Sequence, residues 1–166
     1  MHLDDAARQF GDPRIARWHW PGDLGGPRTR AEVREGLQRQ ARQLDAEGFC
    51  LWWWRERETG EIVGQVGLNR TAVLGEGVVE VGWSISPQHW NKGFATEAAH
   101  ASLAWGFVEI GLEEVVAFTL IDNAPSRRVI ERLGMPYDSD FERSGLPHLL
   151  FRLGRLEWRQ SQRAGP

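Results

Sequence analysis

Cysteine is almost absent from this 166-residue chain. Cys50 stands alone, which excludes an internal disulfide and a cysteine-rich metal site. Lysine is equally scarce: Lys92 is the single lysine among 20 basic residues, and the arginines are scattered along the chain rather than gathered into a stripe. With a net charge of -3, such a surface gives no footing for nucleic acid. No stretch approaches the roughly 18 apolar residues that a membrane helix needs, so no membrane association is expected. The opening MHLDDAARQFGD has neither a basic segment nor an apolar core, so the reading is an unsecreted protein in the reducing cytoplasm. Repeats and low-complexity linkers are missing too. What is present, 41% hydrophobic and 26% charged side chains, suits one globular domain over residues 1–166 with a single buried core.

Local signals divide the chain. A helical stretch covers about Asp4 to Trp18, interrupted near Gly11 to Pro13, and the break PGDLGGP (21–27) must be a loop. A second helix opens at Thr29, where T-R-A-E has capping-box form, and runs to about Glu47. FCLWWWRER and EIVGQVGL are β-rich runs around the turn Glu58-Thr59-Gly60. In WWW, alternation sends Trp53 to the face opposite Trp52 and Trp54, as core packing asks and a flat stacking platform for nucleic acid does not. VVEVGWSI alternates cleanly, with Val79, Val81, Trp83 and Ile85 on one face and Glu80, Gly82 and Ser84 on the other. A helix from near Phe94 to Gly111 follows, then EVVAFTLI, an apolar run expected of a strand covered on both faces. Pro125 opens another helix that ends at Gly134. Two last strands, about Met135 to Phe141 and His148 to Leu156, give the order α-α-β-β-β-α-β-α-β-β, a mixed α/β fold.

The turn QHWNKGFATEAA (88–99) joins a strand to a helix with almost no side-chain bulk. Backbone N–H groups from about Asn91 to Thr96 have no intrahelical acceptor and lie at the positive end of the helix dipole. Gly93 and Ala95 let an anion approach the main chain, and Lys92 adds a positive charge. A glycine turn of this kind also serves any ordinary strand-to-helix connection. The fingerprints of NTPases and dinucleotide enzymes, G-x-x-x-x-G-K-[ST] and G-x-G-x-x-G, do not occur.

EVGWSISPQHWNKGFATEA, followed by AFTLIDNAPSRRVIERLGM, resembles the GNAT superfamily of acyl-CoA N-acyltransferases, most closely its ribosomal-protein N-terminal acetyltransferase branch. The likeness runs from about residue 48 to 156 and is weaker over DPRIARW and the helix after Thr29. It implies a central, mostly antiparallel sheet with a splayed parallel strand pair and helices on both faces. The family's first strand has no counterpart here, which leaves the strand from Cys50 to Arg57 or its neighbour with an open edge that invites homodimerisation. The family loop [QR]-x-x-G-x-[GA] holds the pyrophosphate of coenzyme A. Asn91, Lys92, Gly93, Phe94, Ala95 and Thr96 fall on it, with Trp90 in the Gln/Arg place, set to pack against cofactor or helix. Ile85, Ser86 and Pro87 match the strand that binds the pantetheine arm, whose amides need partners. Asn123 matches a cofactor asparagine and is equally a helix N-cap ahead of Pro125.

Acetyl transfer to an amine needs a neutral amine, a stabilised carbonyl oxygen and a leaving thiolate. Many relatives protonate the thiolate with a tyrosine, and Ile130 stands at that position. Ser126, which matches a serine of the ribosomal-protein branch, is the candidate donor and cofactor contact; it also suits a helix cap. Glu80, opposite the apolar face of its strand, is the candidate base, with Glu142 in reserve. Trp18 and Trp20, with His19 between them, sit where the family places its acceptor rim. His2, His89, His100 and His148 show no ligand spacing, so no metal is assigned. The expectation is therefore an acetyl-CoA-dependent N-acetyltransferase acting on a protein N-terminus or a small-molecule amine. A catalytically silent acyl-CoA sensor and a Trp-rich interaction module remain the alternatives.

Overall fold

The computed structural model describes residues 3–21 and 25–164. Helix α1 (Leu3–Phe10) gives way to α2 (Pro13–His19) at Gly11 and Asp12, where the Asp12 carboxylate accepts a hydrogen bond from Arg14 N at 2.8 Å and Pro13 takes the first helical position. Pro21 and residues 25–27 belong to neither helix nor strand, and the rest of the expected loop lies outside the described residues. Helix α3 (Arg30–Glu47) begins at the capping box foreseen at Thr29: Glu32 N donates to Thr29 Oγ1, and Thr29 N donates to the Glu32 carboxylate at 2.8 Å. It stops at Gly48, whose φ of 76° is open to glycine at little cost.

Strands β1 (Leu51–Arg55), β2 (Ile62–Val73) and β3 (Glu76–Ile85) form a meander. β2 runs five residues past the expected end at Leu68. Asn69, Arg70 and Thr71 interrupt the apolar pattern, and pairing with β3 from Asn69↔Glu80 to Val73↔Glu76 holds them in the sheet. Helix α4 (Phe94–Ala104) widens into a π-helical turn (Trp105–Ile110) and stops at Gly111. Strand β4 (Glu114–Leu120), helix α5 (Ala124–Arg132), and the hairpin of β5 (Tyr137–Arg143) and β6 (Leu146–Gly154) follow, both hairpin strands shifted about two residues from their expected limits. Helix α6 (Arg155–Ala164) was not expected. It is mostly polar, and its anchor is a tertiary contact: the Trp158 ring lies 5.2 Å from that of Phe107.

The six strands lie in the order β1-β2-β3-β4-β6-β5, and only β3 and β4 run parallel. One face carries the main core, where Val66, Leu68, Val79, Val81 and Ile85 meet Ala99, Leu103 and Phe107 from α4 and its extension, and Ile130 from α5. Trp52 and Trp54 join this face. Trp53 points the other way and meets Phe10 edge-on at 5.9 Å. On that second face Gln65 and Ser84 are cross-strand neighbours, held by α3 through Gln40 (2.6 Å) and by α1 through Gln9 (2.7 Å to Ser84 O). Helices therefore cover both faces, as expected. Among the described residues no strand precedes α1, β1 is one edge of the sheet, and no helix is long and apolar enough to cross a membrane.

Candidate active site

β3 and β4 are cross-strand partners at one position, Glu80↔Val116, and diverge toward their C-terminal ends. The divergence opens a cleft of about 650 Å³ between Val81–Ile85 on one wall and Phe118–Leu120 on the other. Ser86 N donates to Val63 O at 2.9 Å, so β3 spends the peptide groups of its even-numbered residues on β2. Those of Val81, Trp83 and Ile85 face β4 and the cleft.

The cleft ends at the N-terminus of α4. Gly93, with φ 87°, precedes the helix, and no side chain caps it. A Cβ built on Gly93 meets no protein atom within 4 Å, so the N–H groups of Phe94, Ala95 and Thr96 stay approachable from the cleft. Asn91, Gly93, Phe94, Ala95 and Thr96 all line it, as does Ile85, whereas Lys92 is exposed outside the lining. Trp90 lines the cleft as well, and its Nε1 donates to Ile85 O at 2.6 Å, so the indole closes one carbonyl of the strand edge. Ser86 and Pro87 do not line the cleft but face a neighbouring depression. The amide of Ser86 is taken by β2, and its hydroxyl donates to Gln9 Oε1 at 2.7 Å.

At the start of α5, Asn123 Oδ1 accepts a hydrogen bond from Ser126 N at 3.3 Å, so the capping geometry is present. Asn123 and Ser126 both line the cleft, while Ile130 is fully buried beneath it. Trp18 lines the cleft as well. Trp20 turns away, packed against Phe10 at 5.5 Å with the Arg28 guanidinium 4.6 Å over its ring.

Glu80 lies on the floor of the opening, opposite Asn69 in the β2–β3 register. Burial raises its carboxyl to about 7, against the opposing pull of Arg143 and of a hydrogen bond from Asn69. A carboxylate poised there can exchange a proton near neutrality. Glu142 is exposed and outside the cleft, but its neighbour Arg143 enters it, with its guanidinium 4.9 Å over the Phe118 ring and one N–H on Ala72 O at 3.0 Å. Sequence reasoning missed Arg143, Asn69 and Gln9. They come from three elements, β5, β2 and α1, that only the folded chain brings to Glu80 or Ser84, and Asn69 lies past the expected end of its strand.

The profile of the acetyltransferase (GNAT) domain matches residues 1–136. YkkB of Bacillus subtilis, an uncharacterized protein, is 30% identical over 138 residues, 83% of this chain and 77% of YkkB. Alignments to five other curated relatives span 38% to 52% of those proteins. The aminoglycoside acetyltransferase AAC(6')-Ib, solved with coenzyme A, superposes with a TM-score of 0.75 at 17% identity over 96% of this chain and 93% of its own. The ribosomal-protein-S5-alanine acetyltransferase of Vibrio fischeri does so with 0.74 at 18% identity, over 95% and 92%. At these identities the two structures share the fold with this chain, and the profile match extends through every element lining the cleft up to the end of α5. By that match and the likeness to YkkB, the chain belongs to the GNAT acetyltransferase family.

Proposed function

We propose that this chain, read as one domain over residues 1–166, transfers an acetyl group from acetyl-CoA to a primary amine. The observation that carries the reading is the splay of β3 from β4, ending at the bare N-terminus of α4. Backbone amides from Asn91 to Thr96 receive the pyrophosphate, and Lys92 adds charge from the rim. The peptide groups of Trp83 and the N–H of Ile85, whose carbonyl Trp90 already holds, take the pantetheine amides as a strand would, with Asn123 on the opposite wall. Ser86 and Pro87 shape that edge from behind.

Bound acetyl-CoA supplies an activated thioester at the floor of the splay. Glu80 removes the amine proton, directly or through water, as the new C–N bond forms and the C–S bond breaks. Ser126 stabilises the departing thiolate. Trp18 shapes the acceptor rim, and Trp20 packs against Phe10, which lines the cleft too. Acceptors as different as an aminoglycoside and a ribosomal-protein alanine appear in the names of two fold neighbours with nearly equal TM-scores, so the fold leaves the acceptor open. Placement in the ribosomal-protein branch rests on the 91–96 loop and Ser126. The same reading puts the protein in the cytoplasm and offers the β1 edge for self-pairing.

The test pairs two measurements. Acetyl-CoA at about a hundred times its dissociation constant should stabilise the protein by about 2.7 kcal/mol in a thermal-shift assay. Thiol release should then appear with one class in a panel of N-terminal peptides, polyamines and aminoglycosides. No acetyl-CoA binding would overturn the proposal, and binding without turnover across the panel would make the chain a sensor.

A further inference from the structure

We infer that His89, Glu61 and Glu56 form a divalent-cation site suited to Zn2+ beside the acetyl-transfer cleft, where His89 lines both the cleft and the neighbouring depression that also holds Glu61. His89 ends a single helical turn (Pro87–His89) just before Trp90, and only 3% of it is exposed. Neither ring nitrogen has a hydrogen-bond partner among the described residues. Buried imidazole nitrogens left without partners are rare in folded proteins, because water solvates them in the unfolded chain. The ring is held edge-on to Phe94 at 5.8 Å, and its Nε2 points at Glu61 Oε2 from 3.6 Å.

The carboxylates are gathered by the β1–β2 turn. Glu56 N donates to Glu61 O at 2.9 Å, which sets the two residues side by side. Thr59 Oγ1 donates to Glu56 Oε2 at 2.7 Å and steadies that side chain. One ligand atom from each of Glu56, Glu61 and His89 lies within 4.8 Å of the others. Zinc bonds of about 2.0–2.2 Å in a tetrahedron put ligand atoms about 3.3–3.6 Å apart, so the His89–Glu61 separation already fits. The mostly exposed Glu61 side chain can close the remainder by rotation.

The two arginines that line the same depression have partners of their own. Arg55 donates to Gly60 O at 2.8 Å, and Arg8 pairs with Asp5. One imidazole and two carboxylates are a borderline donor set that matches zinc and leaves a fourth position for water. The ion would tie the β1–β2 turn to the segment leading into the loop at Gly93, ligating residues 28 positions apart. That distance is why spacing along the sequence shows no such site. An ion pair between protonated His89 and Glu61 is the competing use of the same groups.

The test strips the full chain of metal and titrates it with ZnCl2 by calorimetry, then with CoCl2 by visible absorption. Saturable binding of one ion per chain, a raised melting temperature and cobalt bands are expected. Glu61→Gln and Glu56→Gln should each weaken Zn2+ binding at least tenfold. His89→Gln alters a buried residue, so the exposed Glu61 variant carries the decision. Absence of saturable binding by the parent, or parent affinity in Glu61→Gln, would overturn the proposal and leave the ion pair.

Discussion

Strand β3 has two neighbours and treats them differently. It matches β2 at ten positions, Gly64↔Ile85 through Val73↔Glu76, and β4 at one, Glu80↔Val116. Burial does not explain the difference, since Val115, Val116 and Ala117 of β4 are as buried as Val66 and Leu68 of β2. The sheet withholds pairing where the cleft opens. Peptide groups released there need other partners, and Trp90 already supplies one at Ile85 O. The paired side of β3 holds the fold, and the unpaired side borders the cleft in which the proposed chemistry would take place.

Glycine substitutions break the comparison most sharply. A Cβ on Gly67, on the paired side, would stand 2.2 Å from Cys50 O and 2.9 Å from Leu51 Cα. Gly67→Val should destabilise by about 3 kcal/mol or more, since overpacking a sheet interior forces the backbone apart. In thermal unfolding that is a fall of about 6–12 °C for a chain of this size.

Glu80→Gln tests the floor of the splay. The rate should fall about 10²- to 10⁴-fold at neutral pH and less near pH 9, where free amine is plentiful. Ser126→Ala should lower the rate with little pH dependence. Stability moves oppositely in Glu80→Gln. The folded state holds the Glu80 proton more tightly than the unfolded chain, so stability is full below the ordinary carboxyl range and is lost as pH rises through about 7. Glutamine stays neutral, and the variant should exceed the parent by up to about 3 kcal/mol near pH 8, with no such gain at acid pH. Urea unfolding at both pH values checks the sign.

At the open end, Gly93→Val should keep the fold, losing only about 1–2 kcal/mol to the positive φ, yet weaken coenzyme A binding at least tenfold. Lys92→Ala should cost about 1 kcal/mol or less, as exposed charges do. Equal calorimetric affinities for Gly93→Val and the parent would remove the loop from the site. Gln9→Leu gives a smaller effect of a different kind. It strands the hydroxyls of Ser84 and Ser86 and should cost about 1–3 kcal/mol of stability while raising KM for acetyl-CoA with kcat little changed.

Most of the fold was legible because its signals are short. The Thr29 capping box, the turn at Glu58-Thr59-Gly60, the alternation of Val79 to Ile85 and the stop at Gly111 each act within a few residues, and each appears in the structure. α6 escaped because a mostly polar helix held by Trp158 has no strong local pattern. In the site, the 91–96 loop stood out through its likeness to the family motif, and the structure puts Asn91 and Gly93 to Thr96 on the cleft wall with Lys92 outside it. The turning of Trp20 away from the cleft and of Trp90 onto Ile85 was not legible, since an indole's direction depends on what packs around it.

The sequence by itself determined the elements up to β6, their order and the bare turn before α4, because backbone propensity, capping and alternation are local physics, while its motifs carried the resemblance to the family. Tertiary structure alone decided which peptide groups of β3 stay free, how far the Glu80 carboxyl is raised, and that Gln9 grips Ser86 from 77 residues away. It also brought His89 to the β1–β2 turn. Solvation and hydrogen-bond partnership are set by what surrounds an atom in space, and for these residues the surroundings come from distant parts of the chain.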